Sequence, residues 1–367
     1  MRRWLAFILL LVALPSLAAA PPHNADGFRL AVPPYRFEFP RDHASHPSYQ
    51  IEWWYYTGHL EAEDRRFGFE MTFFRIGLPR LRAESRSAWA ARDLIFLHLG
   101  LTDESGRRFL SHDVAHRASL SIAGADSTRY RVWLEPSEAR LDGDGSTHRL
   151  KGVAPEFALD LTLEPLKPPV IHGRDGVSQK TEGAGNASHY YSLSRLGVRG
   201  SVRLGEDTLA VKGLAWMDHE FASNRLAATH QGWDWFSIQL EDGRELMLYQ
   251  LRRADGAIEP LSHGTLIERD GLSRALPREA FRIEATGSWT SPRTSARYPM
   301  GWVITVPSEA LRLTLTPTVE DQELVARSMG GIVYWEGSVR VRGTSRGARI
   351  EGLGYTELTG YTGRAPY

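Results

Sequence analysis

Period-two alternation of apolar side chains runs through this chain and limits most of it to strands. In Phe67-Gly-Phe-Glu-Met-Thr-Phe73, residues Phe67, Phe69, Met71 and Phe73 fall on one side. In Phe157-Ala-Leu-Asp-Leu-Thr-Leu163, four apolar residues share one face while Asp160 and Thr162 share the other. Successive strand side chains point to opposite faces, so each run reads as a strand with one apolar side. Leu311-Arg-Leu-Thr-Leu315 repeats the pattern, and residues 94–101, 130–134 and 302–306 read the same way. Asp242-Gly243 and Asp255-Gly256 are hairpin signals, because tight primed turns need positive φ. Long helical periodicity is nearly absent, and one short helix is expected over residues 87–93. Many short strands with turn signals predict an all-β protein of antiparallel sandwiches or barrels, with too many strands for one small barrel. The Pro- and Gly-rich segment 164–185 interrupts them and is expected as a long functional loop.

Length and charge narrow the class. A chain of 367 residues is long enough for two ordinary domains. Lys plus Arg (44) equals Asp plus Glu (44), which leaves no broad basic footprint for nucleic acid. Arg2-Arg3, the apolar run Leu5–Leu14 and Ala18-Ala19-Ala20 have the order of a secretory signal. Export to the periplasm or beyond is therefore expected, with cleavage near Ala20. No later apolar run is long enough to span a bilayer, so membrane contact would be peripheral at most. The chain has no cysteine, which excludes disulfides, thiol catalysis and a lipid-modified cysteine anchor.

The densest chemical signal lies in residues 213–240. Asp218, His219 and Glu220 are adjacent within the apolar run Gly213–Phe221, and Asp234 sits between Trp233 and Trp235. A carboxylate among indoles is costly to bury unless it is paired or held protonated. In a strand Asp218 and Glu220 converge on one face and His219 points away. Three readings stay open: an acid–base site in an apolar pocket, a buried polar network joining two domains, and a metal site, which would need a second ligand set. By alternation Asp234 shares a face with Phe236 and Ile238, so it should be buried and partnered.

Other segments supply candidate partners. In Ile51-Glu-Trp-Trp-Tyr-Tyr-Thr-Gly58, Glu52, Trp54 and Tyr56 share one face, and Trp53, Tyr55 and Thr57 share the other. With aromatics on both, two readings stay open: both faces are packed in apolar cores, or one lines an apolar ligand cavity. Around Asn186–Arg195, His189 and Tyr191 face one way, Tyr190 and Ser192 the other. His189 is a candidate acid, base or donor, or a structural histidine. Near the C-terminus Tyr355 and Glu357 alternate with Thr356 and Leu358. His112 and His116 have helical metal-ligand spacing in surroundings that are not helical. No nucleotide-binding glycine loop and no Gly-x-Ser-x-Gly elbow occurs.

Together Glu52-Trp-Trp-Tyr55, Ser188-His-Tyr-Tyr-Ser192, Ala215–Phe221, Gly232-Trp-Asp-Trp-Phe236 and Gly354–Tyr361 resemble the AttH-like family, which groups with carotenoid 1,2-hydratases of the hydroxyneurosporene synthase type. The resemblance runs from about residue 38 to 363. It implies two lipocalin-like antiparallel β-barrel domains packed together, with few helices. The expected division is a signal over 1–20, an extension over 21–37, a first domain over 38–215 and a second over 216–367. The family's hydratases add water to a terminal alkene without a cofactor, and no metal is implied. Carried onto this chain, Asp218 is the first choice of acid, with Asp234 and Glu357 as alternatives. His189, Tyr190, His219 and Glu220 would orient water or tune the acid. Trp53, Trp54, Tyr56, Trp216, Trp233, Trp235 and Tyr355 would face an apolar ligand or a cationic intermediate. Exported members of the family resemble partners of an ABC-type export system. The leading expectation is an exported binder of a lipid or isoprenoid at the domain junction. The alternatives are a cofactor-free hydratase acting on an isoprenoid double bond and a structural envelope protein without a ligand.

Overall fold

The computed structural model describes residues 22–79, 90–223, 226 and 228–363. The signal-like residues 1–20 and residues 87–89 of the expected helix lie outside them; the rest of that helix does not form, since 90–92 are irregular and Asp93 opens a strand, Asp93–Asp103. Among the described residues, the helices are four single 3₁₀ turns of three residues each. The fold is antiparallel β throughout, as the alternation requires.

Two large sheets carry the structure, of thirteen and ten strands. At the centre of the first, Ile51–Ala62 pairs with Arg65–Gly77 on one side and Asp207–Ala222 on the other. Asp207–Ala222 pairs in turn with Ala187–Leu204. This sheet curls into a nearly closed barrel. At the centre of the second, His230–Leu240 pairs with Glu245–Arg253 and with Ala348–Thr359, which pairs with Ile332–Ser345. The chain passes between the sheets after Ala222 and before His230, so residue 216 lies within a strand of the first sheet.

Each sheet wraps its own core. Phe67, Phe69, Met71, Phe73, Leu159 and Leu161 fill the first. Phe236, Ile238, Trp302, Leu313, Leu315 and Trp335 fill the second. The opposite faces of the central strands then pack on each other, which is why these strands are apolar on both sides. Tyr55, Tyr190, Trp216, Trp235, Tyr249 and Tyr355 form this third cluster between the sheets. Polar groups cross the same seam. Tyr55 donates to Glu336 at 2.6 Å, Thr102 to Gln322 at 2.6 Å, and Gln239 to the carbonyls of Ser194 and Ala215 at 2.8 and 2.9 Å.

Candidate active site between the sheets

A cavity of about 140 Å³ opens between the sheets. Its walls are mostly aromatic, with Trp53, Tyr55, Trp233 and Trp235 facing it beside the carboxyls of Asp218, Glu220 and Glu357. Asp218 and Glu220 come from one face of Asp207–Ala222, and Glu357 comes across from the second sheet.

Asp218 is held by donors. Tyr190 Oη donates to Oδ2 at 2.7 Å, Trp216 Nε1 donates to Oδ1 at 2.6 Å, and Ser192 Oγ also donates to Oδ1. Trp235 Nε1 donates to Tyr190 Oη at 3.1 Å, which aims the tyrosine proton at Asp218. Behind Ser192, His172 Nε2 lies 2.7 Å from Ser192 Oγ and its Nδ1 lies 2.8 Å from Thr265 Oγ1. Burial holds His172 neutral, well below the usual imidazole range. Since Ser192 spends its proton on Asp218, His172 carries its own on Nε2 and accepts from Thr265.

Burial pushes the Asp218 carboxyl up to about 7; the three hydrogen bonds oppose this and the nearby Glu220 charge adds to it. Glu357 is also pushed up to about 7 by burial, reinforced by Asp218 and Glu220 and opposed by a 2.8 Å hydrogen bond from Trp233 Nε1. Two carboxyls poised near neutrality therefore face one cavity from opposite sheets. Glu220 pairs with Lys180 at 3.0 Å, and the ammonium lies 4.6 Å from the Tyr249 ring centroid and 5.1 Å from that of Tyr190.

The structure divides the expected site residues. Trp53, Tyr190, Asp218, Glu220, Trp233, Trp235 and Glu357 line the cavity, and Trp216 reaches it through Asp218. The others are not brought there. Trp54 and Tyr56 lie on the opposite face of their strand, inside the first core. Tyr355 is buried in the seam beyond the cavity wall. His189 faces away from the cavity, bonding Tyr49 at 3.0 Å and the Gly176 carbonyl at 2.8 Å. His219 also turns inward, 2.9 Å from Glu52. Asp234 is buried on the core side of the second sheet, with Arg252 at 3.0 Å and Tyr361 at 2.9 Å.

His219 belongs to a different network. His46, Glu52 and His219 place three ligand-type atoms within 4.8 Å of one another. The other oxygen of the same Glu52 carboxylate meets the buried Arg75 guanidinium at 2.8 Å, so the carboxylate's charge is already balanced by a cation. Arg75 and the histidine hydrogen bonds outweigh burial and hold Glu52 well below the usual carboxylate range. This is an ion-pair network fastening the segment before residue 51 to the first barrel. Sequence reasoning missed Lys180, Ser188, Tyr249 and His172 as site residues; the one available signal was that Lys180 and His172 fall in the segment 164–185.

The family model described as AttH-like matches residues 30–361, and the chain belongs to this family. A crystal structure of an AttH-type protein from Nitrosomonas europaea is 34% identical, with a TM-score of 0.81 over 90% of this chain and 98% of that one. Kievitone hydratase from Nectria haematococca has the same fold at 13% identity, with a TM-score of 0.69 over 92% of this chain and 95% of that one. "Dehydratase asqC" from Emericella nidulans is 22% identical over 220 residues, a match covering 58% of this chain and 61% of that relative's length.

Proposed function

We propose that this protein is a cofactor-free hydro-lyase, adding water to or removing it from a carbon–carbon double bond of a mostly apolar substrate bound between the sheets. The observation that carries this reading is the Asp218 carboxyl, buried in an aromatic cavity and poised near neutrality by its surroundings. A relative named as a dehydratase and a fold neighbour named as a hydratase favour catalysis over ligand carriage alone.

In the hydration direction, protonated Asp218 gives its proton to one alkene carbon. The π bond breaks, a C–H bond forms, and positive charge develops on the neighbouring carbon. The faces of Trp53, Trp233 and Trp235 offer that charge a π surface without a nucleophile. Water adds to the cationic carbon, and its surplus proton passes to Glu357, the second carboxyl on the cavity wall. Tyr190, Ser192 and Trp216 stabilise the carboxylate left on Asp218. Dehydration is the same path reversed.

The test is incubation of purified protein with isoprenoid alkenes and the matching tertiary alcohols, followed by mass spectrometry. A gain or loss of the mass of one water that depends on Asp218 is expected. If ligands bind the wild type but no alkene or alcohol in a broad isoprenoid panel is converted, catalysis is excluded for that panel and carriage of the apolar ligand remains.

A further inference from the structure

One corner of the cavity is neither aromatic nor part of the proton-transfer pair. Ser178–Gln179 pairs with the start of Ala187–Leu204, with Ser178 opposite Ser188. Ser188 shares the cavity-facing side with Tyr190 and Ser192, while Lys180, on the same side as Ser178, arrives diagonally beside it. Ser188 is 1% exposed, and its Oγ has no hydrogen-bond partner. Leaving a buried hydroxyl unpaired costs about 1–3 kcal/mol, so such a group commonly marks a place where something else binds.

Lys180 supplies the second donor. Its ammonium has three N–H groups. Glu220 lies 3.0 Å from it and the Tyr249 ring centroid 4.6 Å, so a single ion pair and a ring face leave it with N–H groups to offer. Burial disfavours its charge, but Glu220 and Tyr249 outweigh that, so Lys180 stays protonated. About a fifth of its side chain, 22%, remains exposed at the cavity.

We propose that Lys180 and Ser188 form a two-donor subsite for a neutral oxygen acceptor, a carbonyl above all, on an otherwise apolar substrate. The inference rests on the hydro-lyase reading for the reaction but concerns recognition only. A pure hydrocarbon would bury both donors unpaired. A carboxylate would bring a further negative charge beside Glu220, whose own charge already balances Lys180. A carbonyl satisfies both donors and leaves the cavity's charge unchanged. The substrate class is therefore an oxygenated isoprenoid or a comparable amphiphile, with the reacting double bond toward Asp218 and the oxygen toward Lys180.

The test measures binding by tryptophan fluorescence, using Asp218→Asn protein so that turnover cannot intervene. The probes are geranylacetone, the hydrocarbon with its carbonyl replaced by CH₂, and a carboxylate of the same chain length at pH 8. Geranylacetone should bind at least about tenfold more tightly than either, as expected for hydrogen bonds to a charged donor. Lys180→Met should erase that preference and leave hydrocarbon binding nearly unchanged. Ser188→Ala, which disturbs no ion pair, should reduce the preference severalfold, and it serves if Lys180→Met unfolds. Equal binding of ketone and hydrocarbon, tighter binding of the carboxylate, or a preference that survives both substitutions overturns the subsite. Failure of the hydro-lyase reading looks different: the ketone preference persists while wild-type protein converts no alkene.

Discussion

Replacing Asp218 with Asn should reverse the sign of its stability effect across an ordinary pH range. Asp218 is buried, with Tyr190 donating to one oxygen and Ser192 and Trp216 to the other. An indole N–H can only donate, so the Asn oxygen must take the Trp216 side and its NH₂ must face Tyr190. Tyr190 then accepts from both the introduced amide and Trp235, and its own proton loses its partner, at about 1–2 kcal/mol. Against this stands the wild-type carboxyl. Its folded pKa of about 7 lies above the ordinary 3.8, so the fold favours the neutral form by about 4 kcal/mol. That stability is fully present below pH 3.8 and is lost as the pH rises to about 7. The Asn variant has no such loss. At about pH 4 it should be the less stable protein by about 1–2 kcal/mol; by about pH 8 it should be the more stable by about 2–3 kcal/mol, with a crossing near pH 5. Urea unfolding of both proteins across this range is the assay, because the difference cancels groups distant from residue 218. Asp218→Leu should lie below Asn throughout by about 3 kcal/mol or more, since it orphans Trp216 and Tyr190. A constant gap between Asn and wild type from pH 4 to pH 8 would refute the raised carboxyl and the proton-donor role built on it.

Further outcomes follow from other positions. If Asp218 must be protonated and Glu357 ionised, the hydration rate should peak near pH 7, and Glu357→Gln should lower it about 10²-fold and remove the fall at acid pH; an unchanged profile would separate Glu357 from the reaction. Gln239→Leu should lower stability by about 2–4 kcal/mol in chemical unfolding, because the carbonyls of Ser194 and Ala215 both lose their donor in the seam. Gly213→Ala should cost about 3 kcal/mol or more in the same measurement, since its Cβ would sit 1.9 Å from the His59 carbonyl oxygen of the paired strand.

The alternation that reveals the strands also explains which site residues could be read in advance. In Asp207–Ala222 the period separates Asp218 and Glu220 from His219, and the structure keeps that separation. In His230–Leu240 it sends Asp234 to the side of Phe236 and Ile238, where Arg252 and Tyr361 meet it. The period does not say which face is the inside. For Ile51–Ala62 both faces are aromatic because one fills a barrel and the other a seam, so Trp53 and Trp54 could not be told apart without the partner sheet. Lys180 and His172 were less legible still. They act through Glu220 and Thr265, forty or more positions along the chain, the first contact within the first sheet and the second across to the other, and no local pattern encodes contacts so distant in sequence. The same limit bears on function. An acid among indoles is visible in a sequence and suggests proton transfer. Whether its proton meets a hydrocarbon or an oxygenated molecule depends on Lys180, just past the short strand Ser178–Gln179 in the irregular segment, and on Ser188, on the long strand that pairs with it. Substrate choice in this architecture is thus shared between a lysine of the irregular segment and a serine of the strand it pairs with, while the chemistry is carried by the carboxyls of the two sheets.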